Sequence, residues 1–333
     1  MSNKNNICIH IQTYTPHFKY TNQLINSFLY LTNIVELKIP IFIIFDNNDM
    51  INNFKTYYNY RYDLLYFLNI DEIINNIDLK FTEKFNNLFD ETINIKWSLG
   101  HRDYAALKRT YSILELEKKG YKYIWCLDSE SLVLKKIDIN NIIQYNIEKP
   151  LLTLGINKTG IKYPEIIEKI FNFDYIHYQD ISVRMNDFWF IHSEYFVSMI
   201  NLLFDIHKKP ISYFMGGSEQ SLYEYYLYSL YLKDNNSINF YPINDDLHNN
   251  SLFSRIIHSN ENIDNLCNIL NSYFNMVQSY RGDYYQYCMT FDRGIELLKK
   301  LNISIAVSNY SESLCENHKL ELDLYSKYIL NLI

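Results

Sequence analysis

Glycine and proline are scarce in this chain, with 8 and 6 copies among 333 residues. That leaves little material for a Pro/Gly hinge or a low-complexity linker, and no convincing internal repeat is present. The five cysteines (Cys8, Cys126, Cys267, Cys288 and Cys315) are dispersed without a CxxC pair, which argues against a zinc knot or a disulfide framework and leaves reduced, mostly buried thiols. No apolar run approaches the roughly 18 residues that a bilayer span requires. The opening Met1-Ser2-Asn3-Lys4-Asn5-Asn6 leads into an apolar stretch too short and wrongly flanked for a signal peptide. A cytoplasmic location without a transmembrane segment is therefore expected, with peripheral membrane contact left open. Basic charge is not in excess either, since the net charge is −7, and this disfavours a protein that coats nucleic acid by neutralising phosphates.

What the chain does have is the composition of a packed globular protein, with 48% hydrophobic and 21% charged residues. Its length accommodates one large α/β domain with additions, or two smaller domains sharing an interface. The 32 tyrosines, together with many Asn and Ile, read as the compositional bias of an AT-rich genome. Tyrosine rings can stack on sugars, but ordinary core use accounts for the excess.

Residues 7–13 (Ile-Cys-Ile-His-Ile-Gln-Thr) carry the β-branched content of a buried strand, which Tyr14-Thr15-Pro16 breaks. In 22–33 the apolar residues Leu24, Ile25, Phe28, Leu29 and Leu31 recur at three- and four-residue steps, as in a crossover helix packed on a sheet. A second buried strand follows over 39–45, ended by Asp46-Asn47-Asn48-Asp49. Strand, helix and strand make a βαβ unit, the building block of a parallel sheet whose ligands gather at the carboxyl ends of its strands.

Further on, 103–119 predicts a helix with Asp103 near its start, basic residues at its end and Gly120 as its stop. The next strand is 121–127, and Asp128 sits where it ends. Additional strands are predicted at 150–154 and 187–191, and a Tyr- and Leu-rich helix over 218–232. The expected organisation is one catalytic domain over 1–260 and a mainly helical C-terminal extension over 261–333.

Two acidic side chains one residue apart just past a buried strand can reach one divalent cation if the backbone turns there. Asp128-Ser129-Glu130 offers that arrangement, and a substrate diphosphate would supply remaining oxygens to Mn²⁺ or Mg²⁺. An ordinary solvated turn is the alternative.

The stretch 108–135, centred on Tyr-Ile-Trp-Cys-Leu-Asp-Ser-Glu-Ser-Leu-Val-Leu, resembles the DxD region of GT-A glycosyltransferases, with Glu130 in the third position. The resemblance implies a Rossmann-like, mixed but mainly parallel sheet flanked by helices. It also implies a metal-dependent, hexosyltransferase-like enzyme that takes a nucleotide-sugar donor and a glycan, lipid-linked or protein acceptor. Asp128 and Glu130 would then bind metal, with His258 of Ile256-Ile257-His258-Ser259 completing the metal or diphosphate site. Lys108 would contact the nucleotide-sugar, its ammonium offsetting phosphate charge; the alternative is a solvated helix face shared with Arg109. Asp46 could accept hydrogen bonds from a base or ribose, or be a plain turn residue.

On the acceptor side, Gly216-Gly217-Ser218-Glu219 would let a substrate approach the backbone closely, and Glu219 could act as general base in an inverting displacement. An acidic residue is also favourable in any helix's first turn. Asp187, before Trp189, is the competing carboxylate, in the region where this class binds donor-sugar hydroxyls. A nucleotidyltransferase is a second enzymatic reading, but its Gly-rich loop is missing from Gln12-Thr13-Tyr14-Thr15-Pro16. A carbohydrate-binding scaffold with a vestigial acidic cluster is the non-enzymatic one.

Overall fold

The computed structural model describes residues 6–58, 62–82, 101–129, 131–133, 136, 138–140, 143–144, 147, 151–156, 181–184, 189–207, 239–243, 276–280, 305–308 and 327. From the start of the chain these form β1 (Ile7–Gln12), a 3-10 turn (Thr15–His17), α1 (Phe18–Leu31), α2 (Ile34–Leu37), β2 (Ile41–Phe45) and α3 (Asn48–Tyr57). Then come β3 (Leu65–Asn69), α4 (Ile70–Thr82), α5 (His101–Lys118), β4 (Tyr123–Asp128) and β5 (Leu132–Val133). The remainder comprises β6 (Leu151–Ile156), β7 (Ile181–Arg184), β8 (Trp189–His192), α6 (Ser193–His207), β9 (Asn239–Ile243), β10 (Met276–Tyr280) and β11 (Ile305–Ser308).

The chain is an α/β protein built on a mixed, mainly parallel sheet of order β3-β2-β1-β4-β8, in which only β8 runs antiparallel to its neighbour. The predicted βαβ unit is β1-α1-β2, with Ile9 opposite Ile41 and Gln12 opposite Ile44. Its helix starts earlier than the periodicity suggests, because Pro16 opens a 3-10 turn that feeds directly into Phe18. Pro at a first helical position costs no hydrogen bond and presets φ.

Both faces of the sheet are covered, which is why β1 and β2 read as near-continuous apolar runs rather than alternating ones. On one face, Ile9, Ile11, Ile43, Phe45, Trp125 and Leu127 pack with Phe18, Leu24, Phe28 and Phe54 of α1 and α3. Phe28 meets Trp125 edge-on at 5.7 Å, and Phe18 meets Phe54 at 5.3 Å. Each such buried ring contributes about 1.5–3 kcal/mol relative to exposure. On the other face α5 lies against β1 and between α4 and α6, so that every residue from Leu107 to Ile113 is buried.

Two smaller three-stranded sheets, β7-β6-β9 and β10-β11-β5, complete the described structure. Within 261–333 the described residues comprise strands β10 and β11 and the helical Lys327, and β11 pairs antiparallel with β5 through Ile305 opposite Val133. The predicted helix over 218–232 lies outside the described residues.

Two helix ends show what the stop signals cost. Gly120 has φ +95 and follows α5; its N–H donates to Glu117 O at 2.8 Å and the Tyr121 N–H to Leu116 O at 3.1 Å. α2 ends with the same pair of bonds, Lys38 N–H to Val35 O and Ile39 N–H to Ile34 O, both 3.2 Å. There the left-handed position, φ 53, is filled by exposed Lys38. A Cβ in that backbone region costs about 1–2 kcal/mol. Gly120→Ala should therefore lower stability by about 1 kcal/mol although nothing lies within 4 Å of the added carbon, while Lys38→Gly should raise it by up to about 1 kcal/mol. Denaturant melts check both signs, and a neutral Gly120→Ala would show that the helix end adapts.

Candidate functional site

The strand order places β2 and β4 on opposite sides of β1, so the chain reverses its winding direction between β1 and β4. Crevices outside the carboxyl ends of strands at such a reversal are the usual ligand sites of open α/β sheets. Three of the predicted residues meet there: Asp46 just past β2, Lys108 on α5, and Asp128 as the last residue of β4, in register with Gln12 of β1.

Lys108 does not lie on a solvated helix face, and neither does Arg109; they are 4% and 3% exposed. Lys108 Nζ donates to Asp46 Oδ1 at 2.7 Å and to Thr13 O at 2.6 Å. Arg109 Nη2 donates to Asp128 Oδ1 at 3.0 Å. With its amide oriented to match its neighbours, Gln12 accepts from Arg109 Nη2 at 2.8 Å and donates to Ala105 O at 3.0 Å. Adjacent helical residues point about 100° apart, so one helix position sends a cation to each side of β1.

Within each ion pair the members are exposed unequally. The side chains of Lys108 and Arg109 are 5% and 3% exposed, whereas those of Asp46 and Asp128 are 20% and 29% exposed. The cations form the floor of the crevice and the carboxylates its lip. Desolvating a lone ammonium or guanidinium here would be costly, and the paired carboxylates offset that cost.

The turn after β4 also faces inward. Ser131 N–H donates to Asp128 O at 3.0 Å, closing the reversal that a shared cation would need, and Ser129 and Ser131 are both buried rather than solvated. Ser129 Oγ lies 2.7 Å from His17 Nδ1, and His17 Nε2 lies 2.8 Å from Tyr14 Oη.

Behind the cations sits His10, fully buried on β1, with Nε2 at 2.7 Å from Ser112 Oγ. The Ser112 hydroxyl also faces the Lys108 and Arg109 carbonyls, at 2.8 and 2.9 Å. Burial above all, then the nearby Arg109 and Lys108 charges, push the imidazole down to about 3.

Asp128 fits a divalent ion that takes one or two carboxylates and fills its shell from phosphates and water: it is acidic, half-buried and at the mouth of the crevice. Among the described residues no group of three or more His, Cys, Asp or Glu stands together. Glu130, Asp187, Glu219 and His258 lie outside the described residues. Tyr14, His17 and Arg109 carried no sequence signal of their own beyond their place after β1 or beside Lys108.

No family model matches the chain, and no curated protein does. Solved structures similar to it include the mannosyltransferase Ktr4p from S. cerevisiae in complex with GDP, 12% identical with a TM-score of 0.38 over 71% of this chain and 69% of that one. Core-mannan synthase A from Aspergillus fumigatus, in its Mn/GDP form, is 11% identical with a TM-score of 0.38, covering 72% and 73% of the two chains. Mouse xyloside xylosyltransferase 1, in its apo form, is 10% identical with a TM-score of 0.37, covering 72% and 85%. Overlap of that quality sets up no residue-by-residue correspondence. No helix among the described residues is long and apolar enough to cross a membrane.

His10 supplies a pH test of this arrangement. Its folded-state value lies below the ordinary 6.5, so the unfolded chain binds the extra proton and stability is fully present above about pH 6.5 and falls toward pH 3. Near pH 5 the loss from this group is about 2 kcal/mol. His10→Gln should flatten the dependence of melting temperature on pH between about 6.5 and 4.5. Parallel wild-type and variant curves would mean that His10 does not stay neutral in the fold.

Proposed function

We propose that this chain is a metal-dependent glycosyltransferase of the GT-A kind, moving a sugar from a nucleotide-diphosphate sugar to an acceptor hydroxyl. The observation that carries the reading is the unequal exposure of the two ion pairs at the β1/β4 reversal. A diphosphate entering this crevice meets the Asp46 and Asp128 carboxylates before it meets the Lys108 and Arg109 cations behind them. At 4 Å two like charges repel by about 4 kcal/mol in a partly screened site; Lys108 and Arg109 offset part of that, and a bridging cation would offset the rest. The Asp-Ser-Glu sequence at the end of β4, with Ser131 N–H bonded back to Asp128 O, supports the same reading.

In this reading Asp128 and Glu130 hold Mn²⁺ or Mg²⁺, and His258 is the third protein ligand. The ion neutralises the leaving diphosphate when bound. Asp46, braced by Lys108, offers its carboxylate to the ribose or base of the donor. Arg109 donates to Asp128 Oδ1 at 3.0 Å and so braces that carboxylate at the end of β4. Asp187 contacts the donor sugar, and Glu219 draws the proton from the acceptor hydroxyl. The acceptor class is a glycan, a lipid-linked sugar or a protein side chain.

Calorimetric titration with UDP and with GDP tests the metal role. Binding in Mn²⁺ should exceed binding in EDTA by roughly 10-fold or more, and Asp128→Asn should lose that difference and abolish transfer while its melting temperature barely moves. Equal affinity in EDTA and in Mn²⁺ would sink the reading; unfolding of Asp128→Asn would make the residue structural.

The two remaining carboxylates separate by kinetics. Glu219→Gln should lose about 10²–10⁴ in rate with donor affinity nearly unchanged. Asp187→Asn should weaken donor binding as well. Near-normal turnover of Glu219→Gln would favour a retaining mechanism without a protein base.

A further inference from the structure

Ser129 has no part in a reading that uses only the acidic members of Asp128-Ser129-Glu130, yet it is buried at 4% exposure and bonded to a residue from the other side of the reversal. The parallel ladder between β1 and β4 ends at Gln12 opposite Asp128, so Ser129 is the first residue past it. Just past it the Asp128 carbonyl accepts the Ser131 N–H, and Ser129 Oγ lies 2.7 Å from His17 Nδ1.

His17 is well fixed for holding that turn. Its backbone N–H donates to Tyr14 O at 2.8 Å, and its carbonyl accepts the Thr21 hydroxyl at 3.0 Å. Tyr14 lies against the imidazole with ring centroids 4.1 Å apart and its Oη 2.8 Å from Nε2, while Tyr20 meets the ring edge-on at 5.9 Å. Both ring nitrogens are engaged, so the imidazole cannot turn without breaking two bonds, and Nδ1 stays aimed at Ser129 Oγ. The strands themselves do not need this bond, because six registered pairs from Ile7–Tyr123 to Gln12–Asp128 already hold β1 to β4.

We propose that His17 is a positioning residue for the metal–diphosphate site, locking the turn at Ser129 so that the Asp128 carboxylate leaves the chain in the direction a metal requires. The inference rests on the metal-dependent reading of Asp128. His17 acts through Ser129, the neighbour of Asp128, while Arg109 is the side chain that bonds the carboxylate itself; groups that orient a metal ligand typically change metal affinity by about 10–100-fold when removed. The Tyr14–His17–Ser129 chain also ties the first loop of the protein to the turn after β4.

Titration of GDP and of UDP into the full chain, with Mn²⁺ and with EDTA, decides the matter for His17→Leu, His17→Asn, Ser129→Ala and the His17→Leu/Ser129→Ala pair. His17→Leu and Ser129→Ala should each weaken the Mn²⁺-dependent component roughly 10–100-fold, leave the EDTA value unchanged, and be no worse together than the stronger single change. His17→Asn, whose carboxamide reaches toward Ser129 from near the Nδ1 position, should recover most of the loss. Wild-type affinity in folded His17→Leu, or additive losses in the pair, would overturn the proposal. If His17→Leu fails to fold, Ser129→Ala decides alone, and near wild-type Mn²⁺-dependent binding there overturns it. Should wild type itself show no Mn²⁺ dependence, the metal reading fails and the positioning role falls with it. Should Asp128→Asn lose the dependence while Ser129→Ala keeps it, only the positioning role falls.

Discussion

Two neighbouring cations buried under one sheet are the constraint on which the described structure turns. Lys108 and Arg109 occupy a stretch of α5 that is closed in by β1, α4 and α6, and neither charge can be placed there without a partner. The partners come from different strands, Asp46 after β2 and Asp128 at the end of β4, and both must be present at the same edge of the sheet. The order in which the strands assemble is thereby coupled to the pairing of charge. A sheet with β2 and β4 on the same side of β1 would leave one cation unmatched.

That coupling also shapes the crevice. Because the cations take the dry position and the carboxylates the wetter one, the protein presents a carboxylate rim with one cation paired beneath each member. In the proposed reading, such a rim would favour a divalent ion together with an anion over the anion alone. Behind the floor, burial above all, and then the Arg109 and Lys108 charges, disfavour a positive charge on His10. Chemistry at the lip and stability of the core therefore share the residues 108–112 of one helix.

The 3-10 turn after β1 borders the same end of the sheet as α5. A glycine-rich loop would expose backbone amides at the reversal; here Pro16 fixes the backbone instead, and Tyr14 and His17 fill the position with side chains. The first loop thus carries hydrogen-bonding side chains and is joined through Ser129 to the turn after β4.

Much of the frame was legible from the residues alone. The β-branched runs at Ile7–Gln12 and Ile41–Phe45, the periodic helix between them, the stop at Gly120 and the strand ending in Asp128 are all signals of local conformational preference, which neighbouring residues largely determine. The same signals placed Asp46 and Asp128 at the ends of strands in a parallel sheet, and the family resemblance added Lys108. Strand β3 and helices α3, α4 and α6 did not stand out, since β3 is a half-buried edge strand and Asn47, read as part of a polar loop, caps α3 by accepting the Met50 N–H at 3.0 Å. What only the tertiary structure decided is which polar side chains lie inside. Lys108 and Arg109 look like an exposed basic pair, and Ser129 like a turn residue, because burial of a charge or a hydroxyl depends on partners 19 to 112 residues away rather than on its own neighbours. Local sequence sets backbone preference; long-range pairing sets the environment that turns a residue into part of a site.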